Sequence, residues 1–480
     1  MSGNIIRKVN ASLFKNSDLQ RLHDFSMRLL WENGVKFPND RALDIFRKHG
    51  FRIEGQQVYI TEDQVYEALK TAPSHFVIHG RNPQNSLDLG GGDRGIPGPI
   101  GPVNIMTLDE GLREGTLQDV ENLVKIYQAS DVLTMNTNSG VEANDIAVNN
   151  RHLMTTKALL NHTDKPFYTK LFEYHQMNQI MDMVEIVNGD KLKAGGKIYL
   201  SAGSTPSISP LSWSREVLDS IIALSERGQV VTTGTATSRG ITGPIRPFGT
   251  LILQNAEVLS AIVLSQLINP GNPVGYGTAA TPGNLKVAGS AFGTPGVAAL
   301  QLGFIQMGKE FYHLPTRTLA YSTDSVNVDI QCGIECYEST FSNILGGADY
   351  MLSEIGTLNG LMTTSYEKTI LDEEITSRLI YMRNGIDVSD EAASIEEILD
   401  VGSGGTYITS DDTLDYMMDD WYPKYTDWNT KLEKRPVGDQ EFVLRRLNEE
   451  WKRRLEEAPE TMLDKTVAKE LDHYVNSHMN

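Results

Sequence analysis

The 480 residues, 40% hydrophobic and 22% charged with 42 Gly and 19 Pro, have the composition of a globular protein with many loops. That length suffices for one barrel of roughly 250 residues with additions, or for two or three ordinary domains. A formal net charge of -19 argues against nucleic acid or an anionic membrane surface as partner, because phosphate binding needs clustered Lys and Arg; it would draw in a cationic ligand and is also an ordinary solubility feature.

The opening residues, MSGNIIRKVNASLF, lack a long apolar run ahead of a cleavage site. No stretch reads as the ~20 apolar residues of a membrane span, so a cytoplasmic location without membrane contact is expected. From Asp18 to His49, apolar residues at helical spacing (Phe25, Leu29, Leu30, then Ala42, Ile45, Phe46) predict a helical hairpin capping the main domain. The Gly- and Pro-rich stretch from Arg81 to Pro102 marks a boundary or an ordered loop crossing.

Beyond it, short strand-like runs alternate with helical ones. Eight strands are predicted, starting near Val103, Val132, Pro166, Lys197, Gln229, Pro273, Pro315 and Ala348. Thr116 with Asp119 forms a capping box ahead of one helix; Ser214 opens another and Gly228 closes it. Alternation at this period implies parallel strands with right-handed crossovers, so an α/β fold of the (β/α)8 TIM-barrel type is expected, with a doubly wound sheet as runner-up. The organisation reads as residues 1–100, an N-terminal helical extension and connecting loop; 101–390, the barrel; and 391–480, a C-terminal helical tail packing on the barrel or mediating assembly. The charged run in that tail reads as a solvated helix face.

The chain has no G-x-G-x-x-G after a strand, no phosphate-binding G-x-x-x-x-G-K-[ST], no H-E-x-x-H and no G-x-S-x-G. His75 and His79 are assigned structural roles. Cys332 and Cys336, the only cysteines, argue against a disulfide framework or a cysteine-rich metal site and are assigned to packing. No metal site is expected.

A barrel places its active site at the C-terminal ends of the strands. The loops there carry Phe172, Tyr174, Trp213, Phe248, Tyr276, Phe292, Tyr321 and Tyr366, a set that could supply a cage for a quaternary ammonium group, although each alone also suits packing. Arg239, Arg246 and Arg317 could hold a substrate carboxylate in bidentate fashion, or pair with a protein carboxylate such as Glu354. The expected substrate-binding set is Trp213, Arg246, Phe248, Tyr276, Arg317, Tyr321 and Glu354.

From Phe248 to Glu374 the segments LQNAEVLSAIVLSQLINPGNPVGYG, AFGTP, STDSVNVDIQCGIECYES, the GGAD turn and SYEKTILDEEI resemble the trimethylamine methyltransferase superfamily. GPVNIMTLDEGLREGTLQDVENL and the SPLSW loop extend the likeness over most of the chain. Founding members carry pyrrolysine in the barrel, whereas this chain has only standard residues, so it resembles the branch acting on glycine betaine, proline betaine, carnitine or γ-butyrobetaine. The lost pyrrolysine position is expected at the strand end between Tyr321 and Asp329. The family's GGHF-like segment stands here as Gly404-Gly405-Thr406-Tyr407, which removes support for any role of that histidine.

The resemblance implies transfer of a methyl group from a small quaternary amine to Co(I) of a cobalamin (corrinoid) carried by a partner protein, with no tightly bound cofactor. It implies no general acid, since the leaving group is already a neutral tertiary amine. A homo-oligomer is expected. The alternatives are a quaternary-amine binding or sensing protein without turnover, and an unrelated barrel lyase or hydrolase.

Overall fold

The computed structural model of the chain describes residues 5–203, 208–352, 355–417, 420–426 and 438–479. Seven parallel strands form its central sheet: β1 (Asn136–Thr137), β2 (Phe167–Thr169), β3 (Leu200–Ala202), β4 (Val230–Thr233), β5 (Val274–Gly277), β6 (Thr316–Leu319) and β7 (Tyr350–Leu352). They are hydrogen-bonded in chain order from β1 to β7. Each is followed by a helix: α1 (Val148–His162), α2 (Tyr174–Asn188), α3 (Arg215–Glu226), α4 (Pro247–Ile268), α5 (Pro295–Gln306), α6 (Ile330–Gly346) and α7 (Tyr366–Asn384). Seven of the eight predicted strands are therefore present within a few residues of their expected starts.

The expected first strand near Val103 is the exception. Asn104–Thr107 pairs antiparallel with Gly111–Glu114 and parallel with Thr363–Ser365, in a separate four-stranded sheet. The eighth barrel position is taken by Gly95–Ile96. The Gly95 N–H donates to the Asp349 carbonyl (2.8 Å), the Met351 N–H to the Gly95 carbonyl (2.9 Å), and the Met135 N–H to the Ile96 carbonyl (3.3 Å). This short segment joins the outer edges of β7 and β1, giving the (β/α)8 fold its closure.

The strands alternate between two apolar clusters, as the period of two requires. Phe167, Leu200, Ala202, Val231, Val274 and Tyr276 face the helices and join the larger core, while Tyr168, Val230, Tyr350 and Leu352 face the lumen. A hairpin, Phe76–Ile78 with Leu87–Leu89, covers the N-terminal end of the lumen, packing Phe76, Ile78, Leu87 and Leu89 against those inward residues. It is held by the His79 N–H donating to the Ile198 carbonyl (2.6 Å). His79 and His75 are absorbed there, against the Ile198 carbonyl and Asp88.

Local signals behave as the chemistry dictates. Thr116 and Asp119 cap the helix Leu117–Gln128 reciprocally, Ser214 accepts the Val217 N–H, and Gly228 leaves α3 at φ +67°. The helices Asn16–Glu32 and Asp40–Lys48 are both present, each packing on α4, and Phe25 is exposed rather than part of its helix's apolar face. α4 has the length and apolarity of a membrane span, but 83% of its most apolar window is buried inside the protein. It is a core helix, and Glu257 in its middle accepts the Leu211 N–H (2.7 Å) and the Ser209 hydroxyl (2.9 Å).

The tail helix Phe442–Glu457 packs on α7 and on Leu117–Gln128, and Lys465–His478 packs on α1 and α2. The charged run is only partly a solvated face. Arg454 is buried and makes a bidentate pair with Glu373 of α7 (2.7 and 2.8 Å), each side chain 6% exposed.

Candidate active site at the barrel mouth

The lumen is apolar at its N-terminal end and polar towards the C-terminal ends of the strands. Arg317, the second residue of β6, points inward and is 1% exposed. Gly277 and Gly234 leave it room: a Cβ on Gly277 would lie 2.6 Å from Arg317 Cδ, and one on Gly234 2.8 Å from Arg317 Nη1. The guanidinium thus lies level with the residues just past the ends of β4 and β5. Nη1 donates to the Thr278 carbonyl (3.0 Å) and Nε has no hydrogen-bond partner. Among the described residues no carboxylate pairs with it.

Taking a guanidinium out of water costs several kcal/mol unless an anion compensates it, and among the described residues Arg317 has no such anion beside it. Tyr168 lies beside it, its hydroxyl donating to the Gly203 carbonyl and standing 3.0 Å from Thr232 Oγ1. Burial raises the Tyr168 pKa, and the nearby Arg317 charge opposes that rise. The hydroxyls of Ser201 and Tyr350 approach one another without a hydrogen bond of normal geometry, and those of Thr235 and Ser322, in the loops after β4 and β6, are also buried and unpartnered. Orphaned donors are rare in a protein interior, and of these the Ser201 and Tyr350 hydroxyls are on inward-facing strand positions.

At the rim, Lys170 follows β2 directly and pairs with Glu142 of the loop after β1, which Arg151 also approaches (3.5 Å). The Lys170 ammonium sits 5.4 Å from the centre of the Phe172 ring. Tyr168, Glu142 and Lys170 were not singled out in the sequence, although Tyr-Thr-Lys immediately ahead of the LFEYHQ loop is a charged residue at a strand end, and Glu142 stands in TNSGVEAND.

The expected site residues are dispersed. Trp213 is buried between the N-terminal cap and α4, its indole donating to Ser260 Oγ (3.0 Å). Tyr276 points outward, stacked on Phe304 of α5 (4.3 Å) and donating to Asn255 of α4 (2.7 Å). Tyr321 is turned towards α7, where its hydroxyl accepts from Thr376 (2.9 Å). Phe248 packs edge-on against Phe14 (6.1 Å). These four rings fill gaps between helices, so the structure does not bring them together into a cage. Arg246 is exposed at the N-cap of α4, and Arg239 donates to the Ile245 carbonyl. Tyr174 bonds Glu226, and Tyr366 bonds Asp119. The Phe292 backbone is held by Asp324. Glu354 lies outside the described residues. Of the expected set, Arg317 is the member placed in the lumen.

Among the described residues no group of three or more His, Cys, Asp or Glu side chains could hold a metal. Cys332 and Cys336 are buried and unbridged, their sulfurs 3.9 Å apart.

The chain is 32% identical over 411 residues to a glycine betaine methyltransferase of Desulfitobacterium hafniense, covering 86% of this chain and 85% of that one. It is 32% identical over 463 residues to a proline betaine:corrinoid methyltransferase of Eubacterium limosum (94% and 93%), and 28% identical to an L-carnitine:corrinoid methyltransferase of that organism (94% of each). Among solved structures, the hydroxylamine complex of MtmB superposes with a TM-score of 0.51 at 12% identity over 94% of this chain and 96% of that one, a likeness of fold. The family model for trimethylamine methyltransferase (MTTB) matches residues 3–480, so the chain belongs to the trimethylamine methyltransferase family.

Proposed function

We propose that the protein demethylates a betaine, a small quaternary amine bearing a carboxylate, and passes the methyl group to the Co(I) of a corrinoid protein. The observation that carries the carboxylate half is Arg317, a buried guanidinium with an unpartnered Nε and no counter-charge among the described residues. A substrate carboxylate accepting from Nε and a terminal nitrogen would supply the missing anion in bidentate geometry. The names of the relatives, which specify glycine betaine, proline betaine and carnitine, support the same substrate class.

With its carboxylate on Arg317, the substrate's ammonium extends along the lumen towards the C-terminal ends of the strands. One methyl carbon then faces the mouth. In the transfer the C–N bond breaks with its electron pair remaining on nitrogen, giving a neutral tertiary amine, and the same carbon bonds to cobalt, which passes from Co(I) to methyl-Co(III). No proton moves, so the residues act by positioning and by excluding water. The hairpin that shuts the N-terminal end leaves the mouth as the route by which an acceptor reaches the methyl group.

The test is to mix the protein with reduced cobalamin and, in turn, glycine betaine, proline betaine, carnitine, γ-butyrobetaine and trimethylamine, following the Co(I) to methyl-Co(III) spectral change. Methylation by a betaine is expected. Turnover with trimethylamine alone, or tight betaine binding without turnover, would replace this reading.

A further inference from the structure

Past the ends of β4 and β5 the chain builds a small sheet that stands outside the barrel: Ser238–Arg239 pairs with Thr281–Asn284, and that strand with Gly289–Ser290. Its outer surface is apolar where a loop is normally polar. Ile241, Ile245, Leu285 and Val287 are 41%, 54%, 62% and 72% exposed. They are neighbours, because a Cβ on Gly240 would meet both Ile245 (2.8 Å) and Leu285 (3.2 Å), and one on Gly283 would meet Ile241 (3.0 Å). A contiguous apolar patch on a soluble surface marks a contact site.

The charge around it is equally specific. Between residues 235 and 295 the charged side chains are Arg239, Arg246, Lys286 and the buried Glu257, and the carboxylates of Asp324 and Glu335 reach this stretch only at Phe292 and Gly293, so the part around Ile241 and Val287 carries basic side chains on a chain of net charge -19. From these observations we infer that the Ile241–Val287 rim is the docking surface for the methyl-accepting corrinoid protein, which presents to it an apolar patch ringed by acidic side chains. This rests on the proposed methyl transfer, and it names the surface that aligns the acceptor. The rim continues directly from Gly234 and Thr278, which flank the Arg317 guanidinium, so a protein seated on it has its cofactor over the lumen. A second copy fits poorly: a two-fold contact would set Arg239, Arg246 and Lys286 against themselves and cap both mouths. Self-association has another candidate face at the opposite end of the barrel, where Ile5, Ile6, Ile386 and Val388 are exposed.

The experiment compares the wild-type protein with a Leu285→Asp/Val287→Asp double variant. The acceptor is either free cob(I)alamin or the purified cognate corrinoid protein reconstituted with hydroxocobalamin, and affinity for that protein is measured by calorimetry without substrate. Transfer to free cob(I)alamin is expected to stay within twofold, while KM and Kd for the corrinoid protein rise at least tenfold. Lys286→Glu alone should weaken binding at low salt and flatten its salt dependence. Unchanged Kd in the double variant, no binding by the wild type, or a dimer that dissociates in the variant while protein-bound corrinoid is methylated normally would each overturn the docking assignment. Failure of the wild type to methylate free cob(I)alamin would instead count against the proposed reaction, and the calorimetry would still decide the docking surface.

Discussion

The two ends of the barrel are built from the same strands and differ in what they leave unsatisfied. At the N-terminal end, Phe76, Ile78, Leu87 and Leu89 close on Val230, Leu352 and the ring of Tyr350 in a predominantly apolar contact. At the C-terminal end, one or two residues along each strand, the lumen holds a guanidinium that no carboxylate among the described residues pairs with. The first end contributes stability and the second withholds it, which is how binding sites are commonly arranged on a barrel.

That contrast can be broken at either end. The largest expected effect is at Arg317. Replacing Arg317 by Met removes a buried cation that no described carboxylate compensates, so unfolding midpoints should stay level or rise, while KM for a betaine should increase roughly 30- to 5,000-fold, matching about 2–5 kcal/mol for truncating one partner of a buried charge pair. A variant that unfolds easily would make Arg317 a structural residue instead. At the closed end, Ile78→Ala should cost about 2–5 kcal/mol of stability in denaturant titrations and leave KM unchanged. A change in KM with little loss of stability would show that the two ends are not separable.

A smaller effect is expected on the outer wall, where His162 at the end of α1 borders a cavity of about 320 Å3 with Lys125, Arg453 and Met462. Burial, and then the Lys125 charge, lower its pKa to about 4, and its Nδ1 has no partner. The native imidazole is therefore neutral while the unfolded one gains a proton below about pH 6.5, so this residue's contribution is intact above pH 6.5 and lost as the pH falls towards 4. His162→Gln should flatten the stability curve in that window by about 1–2 kcal/mol, allowing for the group's partial solvation. An unchanged slope between pH 6.5 and 4.5 would assign the acid sensitivity elsewhere.

Much of the barrel was legible because short strand-like runs alternate with helical ones bounded by turn signals, and three of the helices that follow, α3, α6 and α7, open on a side-chain cap. Gly95–Ile96 was not, since two residues inside GGGDRGIPGPIGP read as loop and act as a strand only through their partners on β1 and β7. The site was harder. The Val-Gly-Tyr-Gly run of β5 invites the large residue to be read as facing a ligand, whereas the glycines face inward and leave space for Arg317 while Tyr276 packs between helices. Strand parity distinguishes the two, and it could be set only once neighbouring strands were in register. Trp213, Phe248 and Tyr321 failed as cage residues for a related reason: an aromatic in a βα loop has as much reason to turn back onto the helix layer as to turn into the lumen.

The central claim is tested most directly by comparing transfer from glycine betaine or proline betaine with transfer from choline, which keeps the quaternary nitrogen and lacks the carboxylate, in the wild-type protein and in Arg317→Met. The account predicts that the wild type prefers a betaine in kcat/KM by at least a hundredfold and that the variant loses most of that preference. Equal use of choline by the wild type, or the same preference in both proteins, would contradict it.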